Sequence, residues 1–241
     1  MTVYFISDLH LEPSRPALAD GFLRFINSLT DAEALYILGD FFEVWIGDDL
    51  QTPFTKLVEE ALRGLSERGC KVYIMHGNRD FLLGQAFCQR AGASLIDEGT
   101  CLTLGNERIL LLHGDSLCTA DVEYIKMRGL FRSPTWQQQI LSKTIEERIA
   151  FARQVRDESQ RKGQMQSIEI MDVTQDEVVN VMQQADVHTL LHGHTHRPAV
   201  HHWQENGQSM TRMVLGDWSD QQGWMARWTS EDGLQLSEFE L

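Results

Sequence analysis

Five short polar stretches, each directly after an apolar run, constrain the fold of this chain more than any other feature. They are Asp8-Leu9-His10, Gly39-Asp40, Gly77-Asn78-Arg79-Asp80, His113-Gly114-Asp115 and Gly193-His194-Thr195-His196. The apolar runs are as long as buried strands, and segments with helical spacing separate the first three. Parallel strands joined by helical crossovers end at one edge of a sheet, where α/β proteins bind ligands. The pattern predicts that all five stretches converge on one site.

The second half of the chain differs in character from the first. Its pattern predicts a hairpin at 101–115, helices interrupted at Pro134 across 120–165, a helix at 174–184, a strand at 187–194 and several strands after 198. We expect an α/β fold of two sheets sandwiched by helices, with the second sheet more antiparallel. With 241 residues, the chain is predicted to form one domain, 1–241, that carries a helical cap insertion at about 120–165.

Composition argues against several classes of protein. No segment approaches the roughly 20 apolar residues of a membrane span, and no signal-peptide pattern is visible, so a cytoplasmic location is expected. The net charge of −14 argues against nucleic acid as a partner. Four cysteines, none in a CxxC pair, are expected to be free thiols rather than zinc ligands.

The residue types in the five stretches suit a pair of divalent metal ions. Asp8 and His10, and likewise His194 and His196, are two residues apart, so in extended chain each pair points to one side. Carboxylate, amide and imidazole donors together favour Mn²⁺, Fe or Zn²⁺ over Ca²⁺. A lone histidine or Gly-Asp after a strand is more often a packing or turn residue, but five such stretches favour the metal interpretation. The predicted metal ligands are Asp8, His10, Asp40, Asn78, His113, His194 and His196.

Two divalent ions about 3.5–4 Å apart need a shared anion between them. Two unit charges 4 Å apart interact by roughly 4 kcal/mol at an effective dielectric constant near 20, and two doubly charged ions by about four times that. Asp40 is the expected bridging ligand, together with a hydroxide that it helps to hold. The residual positive charge favours a phosphate or diphosphate substrate.

The five stretches resemble the signature of the calcineurin-like metallophosphoesterases, D-x-H, GD, GN-x-[DE], H and GHTH, in the same order. The resemblance implies a two-sheet β-sandwich flanked by helices (αββα) with a dinuclear centre. It implies that Asp8, His10, Asp40 and His196 hold one metal, and that Asp40, Asn78, His113 and His194 hold the other. Many members have a histidine where this chain has Arg79, and a fixed cation pairs with phosphate but cannot protonate a leaving group. A catalytic role for Arg79 therefore favours a good leaving group, such as the phosphate of a diphosphate bond.

Longer stretches, among them FISDLHLE, ALYILGDFFEVWIGDD, MHGNRDFLLG and LHGHTHRPAVH, resemble the family of UDP-2,3-diacylglucosamine pyrophosphatases of the lipid A pathway. That resemblance implies two Mn²⁺ per chain and water attack on the α-phosphorus of a UDP-linked diacylated glucosamine, with UMP and a lipid 1-phosphate as products. It implies peripheral association with the cytoplasmic face of the inner membrane. The substrate-contacting positions that it implies are Asn78, Arg79, Asp121, Ser159 and His194. Gly163 and Gln166 depart from the residues usual there, and Lys162, one helical turn before Gln166, is a candidate substitute.

Residues 126–162 hold nine Lys or Arg against four Asp or Glu, in a chain that is acidic as a whole. This basic segment suggests contact with anionic lipid surfaces. Its apolar residues are expected either to shelter acyl chains or merely to pack the cap onto the domain; they are Leu130, Phe131, Trp136, Ile140, Leu141, Ile145, Ile149 and Val155. Two rival functions stay open, a soluble phosphodiesterase or nucleotide hydrolase of the same fold and a metal-stabilised binding module without activity.

Overall fold

The structure, a computed structural model, describes residues 1–163 and 172–241. The strands are β1 (Thr2–Ile6), β2 (Ala34–Leu38), β3 (Lys71–Met75), β4 (Ala93–Ile96), β5 (Thr100–Leu104), β6 (Glu107–Leu111), β7 (Thr189–His192), β8 (Ala199–Glu205), β9 (Gln208–Val214), β10 (Gln222–Thr229) and β11 (Gly233–Glu240). The α-helices are α1 (Pro16–Ser28), α2 (Pro53–Glu67), α3 (Gln85–Ala91), α4 (Val122–Phe131), α5 (Pro134–Leu141), α6 (Ile145–Gly163) and α7 (Gln175–Gln184). A short 3-10 helix spans Asp115–Leu117.

Two sheets form the centre of the protein, which confirms the predicted α/β sandwich. The first has the order β11-β10-β1-β2-β3-β4, and the second has the order β5-β6-β7-β9-β8. Strands β1 to β4 are parallel, and β10 joins them antiparallel beside β1. Among the described strands, two of the four pairings in the second sheet are antiparallel, against two of five in the first, so the second sheet is more antiparallel by a small margin only. Its central strands β6, β7 and β9 run parallel, which the hairpin-rich sequence did not indicate. Strands β10 and β11 cross back to the first sheet, a long-range pairing that local sequence does not encode.

Strands whose two faces are both buried are nearly uninterrupted runs of apolar residues. In β1, Val3 and Phe5 pack between the two sheets, whereas Tyr4 and Ile6 face the helices α1 and α2. Helix α7 covers the opposite face of the second sheet with Val178 and its neighbours. The layers therefore run helix, sheet, sheet, helix, and the carboxyl ends of β1, β2 and β3 are left open at one edge.

Helices α4, α5 and α6, called the cap from here on, lie beside that edge. Arginines join the cap to acidic residues of the loops after the strands: Arg128 and Arg132 contact Asp115, Arg148 contacts Asp49, and Arg156 contacts Glu43. Four of the nine basic residues of 126–162 are thus used to dock the cap. Part of the basic charge of this segment therefore forms ion pairs between the cap and the core. Lys126, Lys143, Arg153 and Arg161 remain exposed. Among the described residues, no helix has both the length and the apolar character needed to cross a membrane.

Candidate metal centre

The sheet edge brings the predicted ligands together in two groups. The ligating atoms of Asp8, His10 and His196 lie within 4.8 Å of one another. Those of Asp40, His113 and His194 form a second group with the same spread. The first set is called the Asp8 group below and the second the Asp40 group. Each offers one carboxylate and two imidazoles.

Asp40 and Asn78 complete the arrangement. Asp40 Oδ2 is 3.9 Å from His10 Nε2, and its Oδ1 is 3.7 Å from His113 Nε2, so this carboxylate faces both groups. The Asn78 amide oxygen lies 2.9 Å from His113 Nε2 and 3.0 Å from His194 Nδ1. All seven predicted ligand side chains therefore meet at one place, with Asp40 between the groups.

The loops at this edge hold the ligand backbones in an unusual conformation. Asp8, His10, Asp40, His194 and His196 have φ values between 49° and 66°. Left-handed backbone at residues other than glycine costs about 1–3 kcal/mol each and persists only where the surroundings enforce it. Here Asp8 N donates to the Gly39 carbonyl at 3.1 Å, and His10 N donates to the Asp40 carbonyl at 3.0 Å. The ends of β1 and β2 thus fix each other before any ion binds.

Two glycines in the motifs are explained by close approach. A Cβ on Gly77 would overlap the Asp40 carboxylate, and a Cβ on Gly193 would overlap the carboxylate of Asp8 and the hydroxyl of Ser7. The ligand carboxylates are therefore packed directly against the backbone of the neighbouring loops. The requirement for glycine in the GN and GH pairs is steric.

The electrostatics of the Asp40 group show a site that lacks internal charge balance. Burial raises the pKa of Asp40 to about 6, although His113 and His10 act against it. Burial would lower the pKa of His113, but Asp40 and Asp8 raise it to about 9. Burial and the neighbouring His113 lower the pKa of His194 to about 4. Metal ions bind the ionised carboxylate and the neutral imidazole, so a cation here would offset the cost of burying the Asp40 charge, and His194 already favours its metal-binding neutral form.

The Asp8 group fits a cation in a second way. Asp8 Oδ1 is buried and has no hydrogen-bond partner among the described residues, although His196 Nε2 lies 3.4 Å from it. Asp8 Oδ2 accepts from Ser7 Oγ at 2.5 Å and from His194 N at 2.9 Å. The Nε2 atoms of His10 and His196 face each other at 3.3 Å. Two imidazole nitrogens at this distance cannot both carry a hydrogen, so at least one presents a lone pair to the centre. An orphaned carboxylate oxygen and an aimed imidazole lone pair are what a divalent metal ion requires.

Carboxylates outside the centre support the histidines of the Asp8 group. His10 Nδ1 lies 2.9 Å from Glu43 Oε2, and His196 Nδ1 lies 3.5 Å from Asp217 Oδ2. Burial would raise the pKa of Glu43, but His10, Arg79 and Arg156 lower it overall, which keeps Glu43 ionised. In the Asp40 group, His113 Nδ1 instead contacts the Leu38 carbonyl at 2.9 Å. The sequence pattern pointed to neither supporting carboxylate.

Arg79 and Asp80 have separate roles at the third stretch. The Arg79 backbone N–H donates to Asp40 Oδ1 at 2.8 Å. Its side chain lines a cavity beside the centre, and its Nε has no hydrogen-bond partner in the part of the chain that the structure describes. Asp80 is fully buried and accepts from Phe41 N at 2.8 Å and from Gly77 N at 2.7 Å. Asp80 therefore ties the loops after β2 and β3 together, and the Arg79 guanidinium is free to face a ligand.

The cavity beside Arg79 has a volume of about 130 Å³ and lies between the cap and the core loops. Its apolar wall includes Phe131, Ile140 and Val155 of the cap, which agrees with the expectation that cap residues face an apolar space. Leu130 and Leu141 were expected to do the same, but both are exposed, because α4 and α5 turn these residues away from the core. Trp136 instead packs with Phe81, Phe131 and Phe151 in an aromatic cluster.

Two functional candidates were missed by sequence reasoning. Asp115 is fully buried, and its Oδ2 accepts from Tyr124 Oη at 2.6 Å and from Arg128 Nε at 3.0 Å. The Tyr124 ring stacks on His194 with centroids 6.2 Å apart. The available signal was the place of Asp115, two residues after His113 in a strand-end stretch. This network joins the first cap helix to the centre.

Of the remaining predicted substrate residues, those that the structure describes lie at the start of α4 and near the end of α6. Asp121 is the N-cap of α4, where its side chain accepts from Tyr124 N at 3.0 Å. Ser159, Lys162 and Gly163 lie near the end of α6, and nothing is described of their side chains. Gln166 lies outside the described residues. Their contact with a substrate stays a prediction.

Comparison with known proteins gives matches along the whole chain. Residues 1–198 match the family described as calcineurin-like phosphoesterase. A protein of Pseudomonas entomophila (strain L48) described as UDP-2,3-diacylglucosamine hydrolase is 50% identical over 239 residues, which cover 99% of each chain. Proteins with the same description from Ectopseudomonas mendocina (strain ymp) and Marinobacter nauticus (strain ATCC 700491 / DSM 11845 / VT8) are each 50% identical, over 240 and 226 residues. These matches cover 99% and 93% of this chain and 98% and 93% of the relatives, so the similarity includes the cap.

Proposed function

The chain belongs to the calcineurin-like phosphoesterase family, and from this premise we propose that it hydrolyses the diphosphate bond of UDP-2,3-diacylglucosamine. Water attacks the α-phosphorus, and the products are UMP and 2,3-diacylglucosamine 1-phosphate, in the lipid A pathway. The observation that carries the proposal is the meeting of two three-ligand groups beside a largely apolar cavity that Asn78 and Arg79 line. A substrate with a diphosphate joined to an apolar moiety matches that combination.

Two Mn²⁺ ions are the proposed cofactors. Asp8, His10, Asp40 and His196 would hold one ion, and Asp40, Asn78, His113 and His194 the other. Such a pair supplies Lewis-acid activation of water and neutralises charge on the transferring phosphoryl group. Asp40 faces both groups at 3.9 Å and 3.7 Å, which supports its role as the bridging ligand.

Arg79 is the proposed catalytic side chain. Its guanidinium lines the cavity, and its backbone N–H is held by Asp40, so it is placed beside the phosphorus-binding region without being a ligand. A guanidinium stabilises charge that develops on phosphoryl oxygens but does not give up a proton. The leaving group is a phosphate, whose low basicity makes protonation unnecessary. The head group is proposed to contact Asn78, Asp121, Ser159, Lys162, Gly163, Gln166 and His194.

The cap is the surface that we propose contacts the membrane. The apolar cavity faces the cap helices, and Lys126, Lys143 and Arg153 are exposed on them. Cationic side chains beside exposed Val122 and Leu130 suit peripheral contact with an anionic lipid surface. We place the protein in the cytoplasm, at the cytoplasmic face of the inner membrane.

Product analysis tests the proposal. After chelation the protein should be inactive on the UDP-lipid, and added Mn²⁺ should restore formation of UMP and the lipid 1-phosphate. Bound Mn²⁺ without turnover of any phosphoester would instead favour a binding module.

A cavity-filling variant separates the lipid substrate from a soluble one. Ala152 lines the cavity, whereas Ala150 on the same helix is exposed. Ala152→Phe should reduce turnover of the UDP-lipid and spare a small chromogenic phosphodiester, and Ala150→Phe should change neither. Equal activity of Ala152→Phe and the wild type on the UDP-lipid would favour a soluble phosphodiesterase.

A further inference from the structure

Glu43 lies between the proposed metal centre and the cap. It follows β2 by five residues, in the loop that carries Asp40. Its Oε2 is 2.9 Å from His10 Nδ1, and its Oε1 is 3.0 Å from Arg156 on α6. One carboxylate therefore contacts a candidate ligand with one oxygen and a cap helix with the other.

The backbone around Glu43 is fixed on both sides. Glu43 N donates to the Leu11 carbonyl at 3.2 Å, and Leu11 N donates to the Phe41 carbonyl at 2.9 Å. Phe42 is buried in the core. Because Leu11 directly follows His10, these bonds lock the position of Glu43 relative to the imidazole that it contacts. A side chain on so rigid a base is able to orient its neighbour rather than follow it.

His10 Nδ1 is buried, and its 2.9 Å approach to Glu43 Oε2 is a close contact rather than an aligned hydrogen bond. This contact still leaves only one nitrogen of His10 for the centre. With Nδ1 facing the carboxylate, Nε2 points toward His196 Nε2 at 3.3 Å and Asp40 Oδ2 at 3.9 Å. The side chains of Glu43 and His10 are 13% and 14% exposed, so water screens their interaction weakly. Arg156 is 37% exposed, so its contact with Glu43 is more solvated and weaker than the contact between Glu43 and His10.

We propose that Glu43 is a positioning residue that holds His10 in its metal-binding orientation and docks α6 through Arg156, so that cation binding and cap docking stabilise each other. The inference rests on the proposed metal centre. It explains why this loop carries an acidic residue whose two carboxylate oxygens contact His10 and Arg156, on two different elements. Because coupling between two binding events is reciprocal, a cation at the Asp8 group should tighten α6, and a docked α6 should hold Glu43 toward His10.

Metal titration of isosteric variants tests the first arm. Glu43→Gln should weaken one of two Mn²⁺ sites by about tenfold to a hundredfold and leave the other unchanged, since the loss of a carboxylate behind a histidine ligand has this effect. Asp49→Asn is the matched control, because it removes the carboxylate partner of Arg148 on the same helix α6 without touching a ligand. Wild-type affinity at both sites in Glu43→Gln would overturn the role toward His10.

Amide hydrogen exchange of α6 tests the second arm. In the wild type, saturating Mn²⁺ should slow exchange in α6 by about twofold to fivefold, the range of a partly exposed ion pair. Arg156→Gln should lose this slowing while both sites keep Mn²⁺ affinity within about fivefold, and Asp49→Asn should keep the slowing. Arg156 is a partly exposed helix residue, so this variant tests the coupling whether or not Glu43→Gln folds. Slowing that persists in Arg156→Gln would overturn the link to the cap.

The outcomes separate this inference from the function that it builds on. A wild-type protein that binds no Mn²⁺ would contradict the metal centre itself. Two bound equivalents in the wild type, with no change in Glu43→Gln, would overturn only the positioning role of Glu43.

Discussion

The Asp8 group and the Asp40 group use the same donors in different surroundings. Each has one buried carboxylate and two imidazoles, but the His10 and His196 side chains are 14% and 38% exposed, whereas His113 is fully buried. The histidines of the Asp8 group face Glu43 and Asp217, which are charged. His113 faces the Leu38 carbonyl, which is neutral and belongs to β2.

Residues of the same type in the two groups are therefore kept in position by different interactions. In the Asp40 group, Asp40 and His113 are buried, and a backbone carbonyl supports His113. In the Asp8 group the two histidines are more exposed, and carboxylates beside their rings replace the support that packing gives in the interior. We expect the Asp40 group to be more sensitive than the Asp8 group to substitutions of neighbouring residues. We expect it to be less sensitive to changes in solution conditions.

Substitution of Asp40 should affect the Asp8 group and the Asp40 group alike, because this carboxylate faces both. Asp40→Ala should lower kcat/KM by about a thousandfold or more, since a metal pair contributes several kcal/mol to such a reaction. Metal analysis should show that both ions bind more weakly. Retained turnover, or the loss of one equivalent only, would show that Asp40 does not bridge.

Matched histidine variants should separate the two groups. His113→Ala and His10→Ala should each leave one equivalent of metal, as measured by elemental analysis, with turnover reduced in both. With chelator present, His113→Ala should lose about 1–3 kcal/mol of unfolding free energy, because it removes a fully buried ring and the hydrogen bond of that ring to the Leu38 carbonyl. His10→Ala should lose less, and equal destabilisation would contradict the difference in support.

Substitution of Arg79 should lower turnover without changing metal binding at either group. Arg79→Ala keeps the backbone N–H that binds Asp40, so metal content should stay at the wild-type level. Turnover should fall by about a hundredfold, the effect of removing one donor to developing charge. Loss of metal in this variant would mean that the side chain supports the ligands instead.

Asp217 should give the smallest effect. Its carboxylate is 3.5 Å from His196 Nδ1 and 48% exposed, so solvent screens the interaction. Asp217→Asn should weaken one Mn²⁺ site by at most about fivefold, which corresponds to the modest energy of exposed ion pairs. An effect as large as that of Glu43→Gln would show that exposure does not distinguish the two supporting carboxylates.

Sequence reasoning was most successful where the signal is local. The runs ending near Asp8, Asp40 and Asn78 predicted β1, β2 and β3, because strands buried on both faces are continuously apolar. Strand β4 was not predicted, since its four residues, ASLI, carry too little pattern. The pairing of β10 with β1 was also missed, because it joins segments more than 200 residues apart.

The basic segment shows where sequence interpretation was incomplete. The excess of Lys and Arg in 126–162 predicted an outward-facing surface, but several of these arginines contact carboxylates of the core. Charge in a sequence has no direction, and only packing decides whether it faces a partner or the protein itself.

The sequence by itself determined the set of candidate metal-binding side chains, because donor chemistry and strand-end placement are local properties. Only the tertiary structure decided which residues stand behind those side chains. Glu43 contacts Arg156, and Tyr124 stacks on His194, across long chain separations. Asp8, His10 and Asp40 take left-handed backbone that neighbouring loops enforce. Support of this kind arises from distances between elements, and such distances are fixed by burial of the two-sheet core rather than by any pattern along the chain.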